Sequence, residues 1–194
     1  DIDGNIGWQT TGKLPIRSNG NGMIPFQVTD STDNWAGWIP YSEMPHTVNP
    51  EIGWIGTANH KTVTEDFPYY YSNWFAPGYR YRRMIELLDT PGKKTVDDHW
   101  QFMRDNLNVN ARQIAPILAA ALMARNETRT IGKILSVWDY KETIDSSAAS
   151  IYQEVYRRLV ELIFKDELGK EVCSFFMGKN YFWQERLRVM IEQG

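Results

Sequence analysis

The chain has 194 residues, 21 basic against 24 acidic side chains and one cysteine. That length suits one domain with a proper core, and the near balance of charge gives no reason to expect a nucleic acid or an anionic membrane as partner. A single Cys173 excludes an internal disulfide framework and any multi-cysteine metal site, and no stretch approaches the ~18 apolar residues that a membrane span needs.

At the start, Asp3-Gly4 is a turn signal and Asn5–Thr10 reads as a strand. Asp1-Ile2-Asp3 offers two or three residues of a partner arm, so the expectation is a hairpin with its first arm cut short, in a piece of something longer. The "DIDGN" stretch lacks the twelve-residue ligand spacing of a calcium loop and is read as a turn. Residues 14–50 read mostly as loop, punctuated by prolines and Asn-Gly. So long a loop is usually functional or laid over something else.

Trp54-Ile55-Gly56-Thr57-Ala58 reads as a short strand that runs into Asn59. Strands disfavour Asn because its amide competes for backbone hydrogen bonds, so an Asn closing a turn before Lys61 is the ordinary structural reading. The three histidines, His46, His60 and His99, show no i, i+4 pairing, which speaks against zinc. Aromatic residues crowd the first half, in "NWAGW", "GWIG" and "FPYYYSNWFAPGYRYRR". Burial in a core and an interface is the expectation for them.

The chain changes character near Pro77-Gly78. From Tyr79 the helical period takes over, with Arg80, Met84, Leu87 and Leu88 on one face and Arg82, Arg83, Glu86 and Asp89 mostly on the other. Thr95 and Asp98 form a capping box opening a helix to about Leu107. "ARQIAPILAAALMAR" is a helix with Pro116 in its first turn or at a kink. The strongest helix is capped by Asp145 or Ser146 and lined by Ala148, Ile151, Tyr152, Val155, Leu159 and Leu162. A last helix covers roughly residues 181–191. Strands first and helices afterwards make an α+β arrangement, a strand and loop part over about 1–78 and a mainly helical part over about 79–194. Cys173, amid "VCSFFM", is expected to be a small buried apolar residue.

Four stretches, in order, carry a resemblance: "DIDGNIGWQTTGKLPIR", "WAGWIPYSEMPHTVNPEIGWIGTANH", "FAPGYRYRRMIELLD" and "VWDYKETIDSSAASIYQEVYRRL". Collinear across most of residues 1–160, they resemble the middle of the β chain of the penicillin acylase (penicillin amidase) family of N-terminal-nucleophile hydrolases. The resemblance implies a single segment of an αββα sandwich, partnered by the remainder of the same precursor. It also implies a small-molecule amide substrate, and a serine nucleophile at the start of the β chain, exposed by self-cleavage and lying outside this chain. A hydroxyl is a weak nucleophile at neutral pH until a nearby base takes its proton, and there the serine's own α-amino group is that base. The isolated chain is accordingly expected to be inactive.

Residue by residue, the resemblance carries over Asn59 as an oxyanion donor and Arg80 as the residue that orients it and supplies charge. Removing one such donor typically costs about 10²–10³ in turnover. His60 stands where relatives often have a second Asn and receives no catalytic role. Arg80, Arg82 and Arg83 all lie near a helix N-terminus, which the macrodipole makes unfavourable for cations. Solvation, or ion pairs with Glu86 and Asp89, accounts for Arg82 and Arg83, whereas Arg80 on the apolar side is read as functional. Trp54, Phe67, Trp74 and Phe75 are candidates for an acyl pocket, with burial as the competing reading.

The resemblance implies no required cofactor. Relatives often carry a structural calcium beside the site, but its ligands are not evident here, where Asn73 stands near the place of a carboxylate. It also implies a periplasmic or secreted protein. Two other readings stay open: a carbohydrate- or peptide-binding module stacking on Trp35, Trp38, Trp54 and Tyr69–Tyr71, and a relative that has lost catalysis and serves as a scaffold.

Overall fold

The computed structural model describes every residue except 21, 23, 32, 179 and 194, with backbone alone at 180–182. It divides into two compact units, Asp1–Ala76 and Pro77–Gly194. Short strands fill the first and helices the second, the α+β order expected from the sequence.

In the first unit, β1 (Gly7–Gln9) pairs antiparallel with β4 (His46–Val48), and β2 (Pro15–Arg17) with β3 (Trp35–Trp38). Trp8 lies opposite Thr47, Ile16 opposite Gly37, and the second ladder slips by a bulge between Ile16 and Arg17. The expected hairpin at the start is therefore not the pairing adopted. Asp1 instead folds its carboxylate back onto the backbone, accepting from the N–H of Asp3 (3.0 Å) and of Asn5 (2.8 Å). A short polar side chain that satisfies nearby N–H groups competes directly with a strand ladder.

Asn49, at φ 45°, then joins the distant β4 end to this turn. Its side-chain oxygen accepts from Ile6 N–H at 2.9 Å, and its amide donates to Asn5 Oδ1 at 2.8 Å. The span 14–50, expected to be mostly loop, thus holds three of the four strands found among the described residues and a 3₁₀ turn at Tyr41–Glu43. Three-residue strands fall below what periodicity can register. Trp54–Ala58, expected to be a strand, runs outside both sheets.

In the second unit, α1 (Tyr79–Leu88) and α2 (Val96–Met103) precede α3 (Val109–Met123), α4 (Arg129–Ser136), α5 (Ser147–Met177) and α6 (Asn180–Gln193). The capping box at α2 forms as expected, with Thr95 and Asp98 satisfying each other's backbone N–H groups. The helix stops at Met103, however, because Leu107 leaves it to bridge Lys141. Asn108 caps α3 by accepting from Ala111 N–H at 2.8 Å, which puts Pro116 in the helix interior, well past the first turn. Ser146, rather than Asp145, caps α5.

The core is built by α3, α4, α5 and α6 around Ile114, Leu135, Tyr152, Val160 and Leu187, all at most 1% exposed. Each such side chain contributes about 1.5–3 kcal/mol by leaving water. Cys173 is buried as expected. The stripe on α5 is rotated from the expected one: Tyr156 and Val160 are buried, and Leu162 is 75% exposed. At 100° per residue, Leu162 lies about 120° around the helix from Tyr156.

Aromatic burial also departs from expectation. Trp138, Tyr152, Tyr156 and Trp183 pack in the helical core, while Trp35, Trp38 and Trp74 of the first unit are exposed. The two buried indoles have their N–H groups satisfied, by Lys141 O and Met177 O, each at 3.0 Å.

Helix α4 has no counterpart in the sequence reading. It lies so close to α3 that a Cβ built on Gly132 would meet Met123 N at 2.8 Å and Ala119 O at 2.9 Å. In an exposed helix Gly→Ala gains up to about 1 kcal/mol. Besides Met123 Cγ at 2.7 Å, two of the obstructing atoms are backbone and cannot step aside, so Gly132→Ala should destabilise by about 1–3 kcal/mol, read as a lowered denaturant midpoint.

Candidate functional site

Asn59 ends the segment 54–58 with its backbone at φ 60°. The left-handed region costs most L-residues about 1–2 kcal/mol, and Asn is among the few that enter it readily. This supplies a local reason for an Asn here that stands beside any chemistry. The Asn59 carbonyl accepts from Ala76 N–H at 2.7 Å, tying the two ends of an intervening loop together. Ala58, just before, is buried and donates its N–H to His60 Nδ1 at 3.3 Å. Burial holds the His60 pKa below its ordinary value, so a neutral ring accepts at Nδ1. Asn59 itself lies exposed between these two anchored neighbours.

The loop that Asn59 and Ala76 close carries three of the four aromatic candidates, Phe67, Trp74 and Phe75. Phe67 stands edge-on to Tyr71 (centroids 6.3 Å), which in turn stacks on Phe75 at 6.1 Å and 16°. Phe67 and Phe75 are therefore joined through Tyr71, and both are half-buried. Trp54 is half-buried and Trp74 exposed, its backbone N–H held by Ser72 Oγ at 3.0 Å. The exposed indoles Trp35 and Trp38 meet at 67°, edge to face rather than as one flat platform.

Arg80 belongs to the second unit, in the first turn of α1. The sequence reading placed it on the apolar face; it is exposed, because Tyr79 takes the buried position and Arg80 follows about 100° around the helix. Of the two readings for Arg83, solvation or an ion pair, the ion pair with Glu86 is the one that forms. Arg83 makes a two-pronged contact with Asp105, at 2.9 and 2.7 Å, and another with Glu86 at 2.8 Å. Arg112 of α3 closes on both oxygens of the same Glu86. Paired forks of this kind are the strong form of the guanidinium–carboxylate bond. The i, i+3 spacing of Arg83 and Glu86 was visible in the sequence; Asp105 and Arg112, far along the chain, were not.

Among the described residues no group of three or more His, Cys, Asp or Glu could hold a metal ion. None of their helices is long and apolar enough to cross a membrane.

A strand and loop unit followed by a helical one makes this chain an α+β segment. The comparisons are more specific: a family model described as penicillin amidase matches residues 1–194. The chain belongs to the penicillin amidase family. It is 30% identical, over 84% of its length, to the penicillin acylase 2 proenzyme of Pseudomonas sp. (strain SE83). It is 28% identical, over 86%, to the acyl-homoserine lactone acylase QuiP of Pseudomonas syringae pv. tomato. To the penicillin G acylase of Escherichia coli it is 30% identical over 72%. The matched regions are 21%, 22% and 17% of those proteins, so the chain spans about a fifth of the relatives' length.

The salt-bridge network makes a pH prediction. Hydrogen bonds from Arg83 hold Asp105 below the ordinary carboxylate range, and those from Arg112 do the same for Glu86. A carboxylate lowered by folding stabilises fully above its unfolded pKa and loses that contribution as pH falls through the folded value. Asp105→Asn should cost about 1–3 kcal/mol at neutral pH. The gap from the parent should then narrow below about pH 4, as followed by denaturant melts across pH.

Proposed function

We propose that the intact protein is an acylase, a hydrolase that removes an acyl group from nitrogen. The observation that carries this reading is the family match along all 194 residues, with relatives named for acylase activity on penicillins and on acyl-homoserine lactones. Both names describe an acyl group on an amide nitrogen, which is the shared chemistry inferred for the substrate.

The nucleophile is a serine hydroxyl supplied by a segment outside this chain. Its oxygen attacks the amide carbon, and the carbonyl oxygen becomes anionic in the tetrahedral intermediate. Asn59 donates from its side-chain Nδ2–H to that oxygen, and Arg80 orients the amide and adds positive charge. The intermediate collapses with loss of the protonated amine, leaving an acyl ester that water then cleaves. A donor fixed in place before the charge appears stabilises it without reorganisation. The anchoring of Ala58 and of the Asn59 carbonyl supports such a fixed donor. Phe67, Phe75, Trp54 and Trp74 are assigned to the acyl side of the substrate. The remainder of the precursor completes the active site, and the protein works in the periplasm or outside the cell.

Glycine separates the two reasons for Asn59, because it accepts φ 60° at no steric cost and has no amide. In the intact protein Asn59→Gly should lower kcat on an aryl-acetamide or acyl-homoserine lactone by about 10²–10³, with the thermal midpoint nearly unchanged. Asn59→Ala should lose the same activity and, in addition, about 1–2 kcal/mol of stability. A glycine variant of parental rate removes Asn59 from the site. Arg80→Lys should retain more activity than Arg80→Ala; equal rates for the two variants refute a role for its charge.

A further inference from the structure

Among the described residues of the helical unit, five buried polar side-chain atoms have no hydrogen-bond partner: the hydroxyls of Tyr79, Tyr152 and Tyr156, Asn110 Oδ1 and Glu185 Oε2. They come from α1, α3, α5 and α6. Tyr79, Asn110, Tyr152 and Tyr156 are each less than a tenth exposed. Natural interiors rarely leave one such atom unsatisfied, since each costs the full loss of its water contacts. Five in one unit ask for a common cause.

Their arrangement supplies one. The rings of Tyr152 and Tyr156 stack at 5.4 Å and 12°, one turn apart on α5. Arg82 lies against the Tyr79 ring and 3.9 Å from Glu185 Oε2, and the Tyr156 ring packs on Trp183 at 5.7 Å, two residues before Glu185 on α6, which brings the phenols and the carboxylate around one region. Burial is the chief reason their hydroxyls hold their protons more tightly than usual. The Asn110 side chain, close enough to Tyr156 to act on its hydroxyl as a hydrogen-bonding group though outside good hydrogen-bond geometry, pulls the other way. At the rim, Arg82 and Glu185 approach to 3.9 Å with side chains 37% and 40% exposed. That separation is too long for a hydrogen bond and suits a bridging molecule, and the exposure gives one a way in.

Charge narrows the occupant. Arg82 lies 4.8 Å from the centre of the Tyr79 ring, and Arg188 bonds Glu185 Oε1 at 2.8 Å. Two guanidiniums oppose a cation, and the Glu185 carboxylate opposes an anion. Phenols that can both donate and accept, with an amide oxygen and a carboxylate oxygen that accept, fit a small neutral molecule able to do both.

We propose that Tyr79, Asn110, Tyr152, Tyr156 and Glu185 form a built site for structural water, a small hydrogen-bonded cluster joining α1 to α3, α5 and α6. Buried water typically makes about three hydrogen bonds to otherwise unsatisfied groups. The cluster lies under the first residue of α1, next to Arg80 in sequence, and the inference is independent of the acylase reading.

Two measurements on the intact protein decide it. A high-resolution crystal structure should show ordered water within about 2.6–3.2 Å of two or more of these atoms. Tyr156→Phe and, separately, Tyr152→Phe should lower the thermal midpoint by about 2–4 °C, because each removes a bridged hydroxyl. If the hydroxyls are unbridged, phenylalanine relieves a buried polar group and the midpoint holds or rises. Dry density, direct pairing of the side chains, or a midpoint that does not fall in either variant overturns the proposal.

Discussion

The helical unit depends on how α1, a half-buried helix with three arginines near its start, is held against the rest. The macrodipole works against cations at a helix N-terminus, by a few tenths of a kcal/mol each at exposed positions. Arg83 offsets this by forking onto Asp105 and reaching Glu86, which Arg112 of α3 grips from the other side. One carboxylate thus serves two guanidiniums from different helices. The contact fixes both the rotation of α1 and its position along its axis, because a two-pronged bond tolerates little of either.

The helical half of the fold was largely legible in the sequence, and the reason lies in where the information sits. Caps are local: Thr95 with Asp98, and Ser146 with Ala149, lie within one turn of each other. What failed depended on distance. The buried stripe of α5 is selected by what packs against it, so periodicity alone admitted Leu162 and omitted Tyr156 and Val160. Helix α4 escaped notice because "TRTIGKILS" is short, with a glycine in the middle whose purpose is close approach to α3.

The strand half was poorly legible for the opposite reason. Its strands are three or four residues long and are defined by partners some twenty to forty residues away. Asp1 and Asn49 decide the architecture there through side-chain bonds to backbone, an alternative to the ladder that no pattern of apolar residues records. Of the candidate site, the identity of Asn59 came from family resemblance. Its left-handed backbone and its anchored neighbours came only with the fold.

Gly169 interrupts α5 with φ 71° and ψ 165°, outside helical geometry. In an unbroken helix, each residue gained or lost turns everything downstream by about 100° and swings a buried face towards solvent. A glycine that resets the backbone between the two stretches acts as a slip joint. A change of length at this point leaves the Tyr152–Tyr156–Val160 face in register with the helices it packs against.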